Sequence, residues 1–231
     1  MTEGLLARLP PARCHAVERI GDPASSGVPD PLHPEEVRAS ATFGARRLRD
    51  FAAVRGCARG ALSALGHDPV PLLPGPGGAP VWPKGVVGSM THCAGFQGAV
   101  VAHERDLLSV GVDAEPAEGL RHGLPEHICS GEREPAAVRS LSARAPRVPW
   151  DKVLFSAKES VYKAWFPLTG RRLGFEQAEV VMRADSATGG VFRARLLGER
   201  VLLDRMCPTG FHGRWAVDRG LVVTAVPVPA P

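Results

Sequence analysis

The chain has 231 residues, 44% of them hydrophobic and 23% charged, which suits one large or two small globular domains and excludes a disordered or fibrous protein. It carries 28 Lys and Arg against 24 Asp and Glu, for a net charge of +4, and the only lysines are Lys84, Lys152, Lys158 and Lys163. A basic chain raises the question of nucleic acid, but aromatics are 6%, Tyr162 is the single tyrosine and no basic stripe is interleaved with stacking rings, so no nucleic-acid partner is expected.

In chain order, residues 1–33 hold scattered Pro and Gly and read as irregular. A helical stretch follows Pro34, and a stronger one runs from Ala45 to Leu65 with Gly66 as its C′ residue. A Pro/Gly loop, Pro69 to Pro83, precedes three short strands at Val86–Met90, Gly98–Ala102 and Leu107–Val112. Residues 116–149 are loop-rich, with one short helix around Glu132–Leu141. A helix is predicted from Asp151 to Phe166, with Asp151 placed to cap it. Strands follow at Ala178–Arg183, Val191–Leu197, Gly213–Val217 and Leu221–Val226, the last two turned into a hairpin by Asp218-Arg219-Gly220. The pattern is α+β, two similar halves each with a long helix and a few antiparallel strands, divided near residue 113 into 1–112 and 113–231.

No apolar run reaches the roughly 18–20 residues that span a bilayer. Met1–Pro10 lacks a basic region followed by an apolar stretch, so a cytoplasmic protein without a membrane partner is expected. Five scattered cysteines, Cys14, Cys57, Cys93, Cys129 and Cys207, with no C-x-x-C spacing, argue against a disulfide framework and a structural zinc site.

Four stretches carry chemistry. Gly111-Val112-Asp113-Ala114-Glu115 looks like a strand ending in two carboxylates that share a face. Such a pair suits a hard cation such as Mg²⁺, or simply faces water. In Phe155-Ser156-Ala157-Lys158-Glu159-Ser160-Val161-Tyr162-Lys163-Ala164-Trp165, the rings of Phe155, Tyr162, Trp165 and Phe166 fall on one helical arc. Lys158 and Glu159 lie inside that arc, where an unpaired charge is expensive, so they form either an internal ion pair or a site. Gly88-Ser89-Met90-Thr91-His92-Cys93 follows a strand and could offer backbone N–H groups and an imidazole to a phosphate, although a histidine there can equally be structural. Arg47 and Arg55 lie eight residues apart on the first long helix, about 80° apart around its axis.

Together, these motifs resemble the signature of 4′-phosphopantetheinyl transferases of the actinobacterial Sfp type. Trp82-Pro83-Lys84-Gly85-Val86-Val87 leading into the His92 motif, Val54-Arg55-Gly56-Cys57-Ala58-Arg59 and Leu168-Thr169-Gly170 add to the likeness, which covers about residues 43–226. The resemblance implies transfer of the 4′-phosphopantetheine arm of coenzyme A to a serine of an apo acyl or peptidyl carrier protein, releasing adenosine 3′,5′-bisphosphate. It implies a monomeric pseudo-dimer of two α+β halves with the coenzyme in the cleft between them. The N-terminal half would bind the nucleotide end, and the C-terminal half would carry the metal and phosphate site and the carrier docking surface. The metal ligands fall on Asp113, Glu115 and Glu159, which would hold Mg²⁺, with Mn²⁺ as an alternative. Lys158 and Lys163 match lysines at the phosphates. Ser89, Met90 and His92 match the coenzyme-binding motif, and Arg47 and Arg55 the basic pair at the 3′-phosphate.

Asp113, Lys158 and Glu159 are then the expected catalytic residues, with Glu159 taking the serine proton directly or through water. One departure stands out. The loop Leu73-Pro74-Gly75-Pro76-Gly77-Gly78-Ala79-Pro80 has no charge, where many relatives carry a lysine. Two other classes compete: a noncatalytic coenzyme A-binding module, which has no need of three carboxylates, and a carrier-docking regulator, which should show no metal dependence. For docking, residues 116–149 mix Arg121, Arg133, Arg139, Arg144 and Arg147 with apolar Leu120, Leu124, Ile128, Val138, Leu141 and Val148. That mixture suits an apolar centre with a cationic rim, or a variable surface loop.

Overall fold

The computed structural model describes residues 4–11, 13–21, 31–120, 126–197 and 209–231. Its elements are β1 (His15–Ile20), α1 (Pro34–Ala39), α2 (Ala45–Ala64), β2 (Val86–Cys93), β3 (Phe96–His103), β4 (Leu107–Pro116), α3 (Arg133–Arg144), α4 (Trp150–Thr169), β5 (Ala178–Ala184), β6 (Gly189–Leu196), β7 (Gly210–Asp218) and β8 (Leu221–Pro229). The strands form two antiparallel sheets, β1-β3-β2 and β4-β8-β7-β6-β5. Each sheet carries one 20-residue helix, α2 and α4 respectively. No helix among the described residues is long and apolar enough to cross a membrane.

Alternation along the strands sorts the core into layers. On β3, Ala99 and Val101 face α2, where they meet Cys57, Ala58, Ala61 and Leu62. Its intervening Val100 and Ala102 meet Val110, Val112 and Ala114 of β4 and Val223 and Ala225 of β8. The opposite face of the five-stranded sheet packs on α4 through Val153, Leu154, Ala157, Val161 and Trp165. The order of layers is therefore helix, sheet, sheet, helix, with β4 the edge strand of the second sheet.

Local signals explain most of the boundaries. Gly66 sits at φ 88° past α2; its N–H bonds the Ser63 carbonyl and the His67 N–H bonds that of Leu62, a Schellman closure. α4 begins one residue before the predicted start, so Asp151 lies in its first turn and accepts instead from the backbone N–H groups of Leu120 (2.7 Å) and Lys152 (2.9 Å).

Three expectations change. Residues 15–20, read as irregular, form β1 on the edge of the first sheet. The charged Glu18 in that strand holds the N–H groups of Leu5 and Leu6 at 2.7 and 2.6 Å. Of the predicted arc, Trp165 faces the core, joining Val153, Leu154, Ala157 and Val161 in the stripe against the sheet, while Phe155, Tyr162 and Phe166 are half-buried and turn away from it. In the proposed docking segment, Ile128 and Val148 are buried, and Val138 and Leu141 pack on the core beneath α4. Its apolar centre therefore points inward; Arg121 and Leu124, like Cys207, lie outside the described residues. The division expected near 113 falls inside β4, since the chain passes from one sheet to the other at the turn 104–106.

Candidate active site

The site is built where β4 meets α4 on one side and β2 on another. Helix α4 lies so close to β4 that a Cβ at Gly111 would come 2.0 Å from the Ser160 carbonyl oxygen, so only glycine fits there. Along β4, Ser109, Gly111 and Asp113 face α4, and the Ser109 hydroxyl donates to the Ala164 carbonyl at 2.9 Å. One edge of β4 pairs with β8. On β2, two hydroxyls two residues apart serve its neighbouring backbone: Ser89 Oγ accepts from the Val112 N–H (3.1 Å), and Thr91 Oγ1 accepts from the Ala114 N–H (3.0 Å). Thr91 also donates to Asp113 Oδ1 over a longer 3.4 Å. These side chains join the two sheets where no backbone ladder does.

Asp113 is 5% exposed. Its Oδ1 takes the Lys163 ammonium at 2.8 Å, and Lys163 also donates to the Val112 carbonyl at 3.1 Å. Its Oδ2 is buried with no hydrogen-bond partner. Glu115 Oε2 pairs with Lys152 Nζ at 3.0 Å. Burial pushes the Glu159 carboxyl above the usual range; Lys163 opposes the rise, while Asp113 and Glu115 add to it. The three carboxylates thus act on one another.

Among the described residues, no three His, Cys, Asp or Glu side chains are already gathered tightly enough to hold an ion. Two ammonium groups balance the carboxylates as they stand. The donor set nevertheless fits a hard divalent cation: it is all oxygen, and the bare Oδ2 is a buried acceptor of the kind that is nearly always partnered. Release of Glu115 by the flexible Lys152 side chain would complete it.

Beside this cluster opens a cavity of about 500 Å³ between α2, the 75–82 loop, β2 and α4. Arg55, Trp82, Ser89, Met90, Glu159 and Lys163 contribute to its wall. Two glycines let it close. A Cβ at Gly88 would meet the Trp82 indole at 2.7 Å, and Gly77, at φ 64°, lies against the Phe166 ring. Tyr162 and Phe166 also line it, so the half-buried aromatic arc of α4 is its wall.

The remaining expected residues separate clearly. Arg55 is 6% exposed; its Nε donates to the Leu72 carbonyl at 2.8 Å and its guanidinium lies 3.2 Å from the Phe51 ring centre. Burial pushes its pKa down to about 10 against the opposing pull of Glu36, yet it still borders the cavity. Arg47 is exposed, stacked over Phe43 at 4.0 Å, and His92 is exposed at the end of β2; neither lines the cavity. Lys158 is the sharpest difference. Its side chain is 1% exposed, and its ammonium donates to Glu134 Oε2 (2.8 Å) and the Phe175 carbonyl (2.7 Å), away from the cavity. Burial lowers its pKa and the Glu134 hydrogen bond raises it. The reading of Lys158 and Glu159 as one unit therefore divides: Lys158 belongs to an internal ion pair and Glu159 to the site.

Glu36 and Glu134, both buried, organise these surroundings and were not among the expected site residues. Each is acidic in the first turn of a short helix, a signal the sequence did carry.

Residues 34–102 match the model of the 4′-phosphopantetheinyl transferase N-terminal domain, and residues 109–202 match that of the 4′-phosphopantetheinyl transferase superfamily. The chain is 52% identical over 201 residues to 4′-phosphopantetheinyl transferase Svp of Streptomyces mobaraensis, covering 87% of this chain and 80% of that one. It is 46% identical to PptT of Mycobacterium tuberculosis (84% of each chain) and 40% identical to Npt of Nocardia iowensis (84% and 88%), both also 4′-phosphopantetheinyl transferases. The chain belongs to the 4′-phosphopantetheinyl transferase superfamily, whose enzymes move the phosphopantetheine group of coenzyme A onto carrier proteins.

Proposed function

We propose that transfer takes place where α4 meets β4, with coenzyme A in the adjoining cavity and Asp113, Glu115 and Glu159 holding Mg²⁺, or Mn²⁺ in its place. One observation carries this assignment: Asp113, whose other oxygen accepts from Lys163, keeps a buried oxygen with no partner, beside a glutamate that burial and two acidic neighbours make hard to ionise. The ion, when bound, neutralises charge on the pyrophosphate oxygens.

The chain's own groups do the rest. Lys163, half-exposed at the cavity wall, is the ammonium that can turn from Asp113 to a phosphate oxygen. The carrier serine Oγ forms a bond to the phosphorus bearing the pantetheine arm, while the bond from that phosphorus to the departing bisphosphate oxygen breaks. Glu159 accepts the hydroxyl proton directly or through water. Adenosine 3′,5′-bisphosphate leaves.

Arg55 joins Lys163 as a cation available to the coenzyme within the cavity, while Arg47 and His92 are available only to a part projecting beyond it. The uncharged 75–80 loop then contributes shape to the wall, since the N–H groups of Gly75, Gly78 and Ala79 are spent on carbonyls within the loop. The N-terminal half supplies Arg55, Ser89 and Met90 and the C-terminal half the carboxylates and Lys163, divided at the 104–106 turn.

The test is incubation with coenzyme A, Mg²⁺ and an apo acyl carrier protein, followed by intact mass. A gain of one phosphopantetheine group is expected with the wild type. It is expected to be largely lost in Asp113→Ala, Glu115→Ala and Glu159→Ala. Undiminished turnover by two of the three would remove the metal assignment.

A further inference from the structure

We infer that the outer face of β5, β6 and β7 is a docking surface for an acidic segment of a partner protein. The five-stranded sheet buries one face against α4 through Val180, Met182, Phe192, Ala194 and Trp215. On its other face the first sheet reaches β4, β8 and Ala216 of β7, so the alternate residues farther along β5–β7 turn to solvent. Arg183, Arg193, His212 and Arg214 stand exposed around an open concavity there of about 440 Å³. Val181, 66% exposed, and the half-buried Val191 lie among them.

Strand register shows what this face lacks. Opposite charges on neighbouring strands support a sheet, and one rung of this face has them: Glu179 stands opposite Arg195 and accepts from it at 2.7 Å. On the next two rungs no arginine meets a carboxylate. Arg193 stands between Val181 and His212, and Val191 stands between Arg183 and Arg214. Arg183 reaches Asp185 at 3.0 Å, just past the end of its strand. Among the described residues, Arg193 and Arg214 form no ion pair. Three guanidinium groups and an imidazole are thus answered by one exposed carboxylate.

The chemistry selects the occupant. A guanidinium fork matches a carboxylate, and valines set among the forks suit a segment in which carboxylates alternate with apolar residues. Same-side residues of such an extended segment recur about every 7 Å, the spacing of successive rungs beneath it. A nucleic-acid strand needs rings on which its bases stack, but Phe192, the one phenyl ring bordering this concavity, is 2% exposed and packs in the core under α4. A second copy of this chain would bring a net charge of +4 to a cationic face. The face lies across the sheet from α4, so it stands or falls apart from the transfer site.

The probe is a fluorescein-labelled peptide of alternating glutamate and leucine, titrated with the full chain and followed by anisotropy at low salt. The wild type is expected to bind it, and Arg193→Glu with Arg214→Glu to weaken binding by about tenfold or more. The same change of charge at exposed positions elsewhere, Arg38→Glu with Arg105→Glu, should leave binding within about twofold of wild type. Coenzyme A titration calorimetry should give wild-type affinity for both double variants. If thermal melting shows that the charge reversal unfolds the chain, Arg193→Gln with Arg214→Gln decides in its place. A wild type that leaves the peptide free, or equal weakening by the two double variants, overturns the assignment. So does tighter binding of oligothymidylate or of phosphatidylglycerol vesicles that depends on Arg193 and Arg214.

Discussion

The two halves of the molecule solve one problem twice, with different cations. In each, a glutamate in the first turn of a short helix is fully buried against the long helix that follows. Glu36 accepts from the backbone N–H groups of His33 and Leu72 and pairs with Arg55 and Arg59 of α2. Glu134 accepts from the N–H groups of Ser130 and Val180 and pairs with Lys158 of α4. Each carboxylate thus ties a helix start, a later segment and the long helix together. The cation then bonds a nearby carbonyl: Arg55 that of Leu72, Lys158 that of Phe175.

What differs is the capacity of the cation. A guanidinium has five N–H donors in a planar fork, so Arg55 is anchored and still borders the cavity. An ammonium has three, two of which Lys158 spends on Glu134 and the Phe175 carbonyl, and at 1% exposure the group is sealed from any ligand. The same device leaves a cation at the cavity wall in one half and a structural pin in the other.

Breaking the tighter pin should have the largest effect. Glu134→Ala leaves Lys158 buried without its carboxylate and strips the Ser130 and Val180 N–H groups, so a loss of about 3–5 kcal/mol is expected in denaturant melts. Adding Lys158→Met to it should recover part of that loss. Glu36→Ala should cost less, about 2–3 kcal/mol, because Arg55 keeps the carbonyls of Leu72 and Phe51 and the Phe51 ring, and the less buried Arg59 keeps the Pro31 carbonyl, whereas Lys158 keeps one carbonyl, that of Phe175. Equal losses would mean that the two pins are equivalent.

The next test sets the two cations against each other. Arg55→Met should raise the KM for coenzyme A by about tenfold, the loss of one charge-assisted contact. Lys158→Met should lower the melting temperature and leave that KM in place. A reversed pattern in initial-rate kinetics would return Lys158 to the phosphates.

The smallest effect concerns Glu159. Its folded pKa is raised, so its contribution to stability is fully present below the unfolded value and is lost as pH rises through the folded one. At pH 7 the ionised group burdens the fold, and Glu159→Gln should raise the metal-free melting temperature by about 1–3 °C. That gain should vanish near pH 4. A lower melting temperature at pH 7 would show that the carboxylate is already neutralised.

Much of this was legible in the residues themselves. Asp113 and Glu115 were readable as carboxylates on one face of a strand, whereas their association with Glu159 came only from the resemblance to the family, and the close approach of α4 at Gly111 had no reading in the sequence. The end of α2 was readable where Gly66 stops it, whereas α4 runs past the predicted Phe166, through Pro167, to Thr169 and stops at Gly170. The orientation of Lys158 was not. Periodicity sets it beside Glu159 on one arc, but its partner Glu134 lies 24 residues away in a loop-rich stretch, and no local signal links them. β1 was hidden because Glu18 and Arg19 break its apolar alternation, and Glu18 is spent on the N–H groups of Leu5 and Leu6. The inward turn of Ile128 and Val148 was equally hidden, since an apolar residue among arginines reads the same whether it faces a partner or its own core.

The most direct test of the site is calorimetric titration of Mg²⁺ into the enzyme with coenzyme A bound. One ion per chain is expected for the wild type and for Lys158→Met, and none for Asp113→Ala. Undiminished Mg²⁺ binding by Asp113→Ala would contradict the assignment of the bare Asp113 oxygen to the metal.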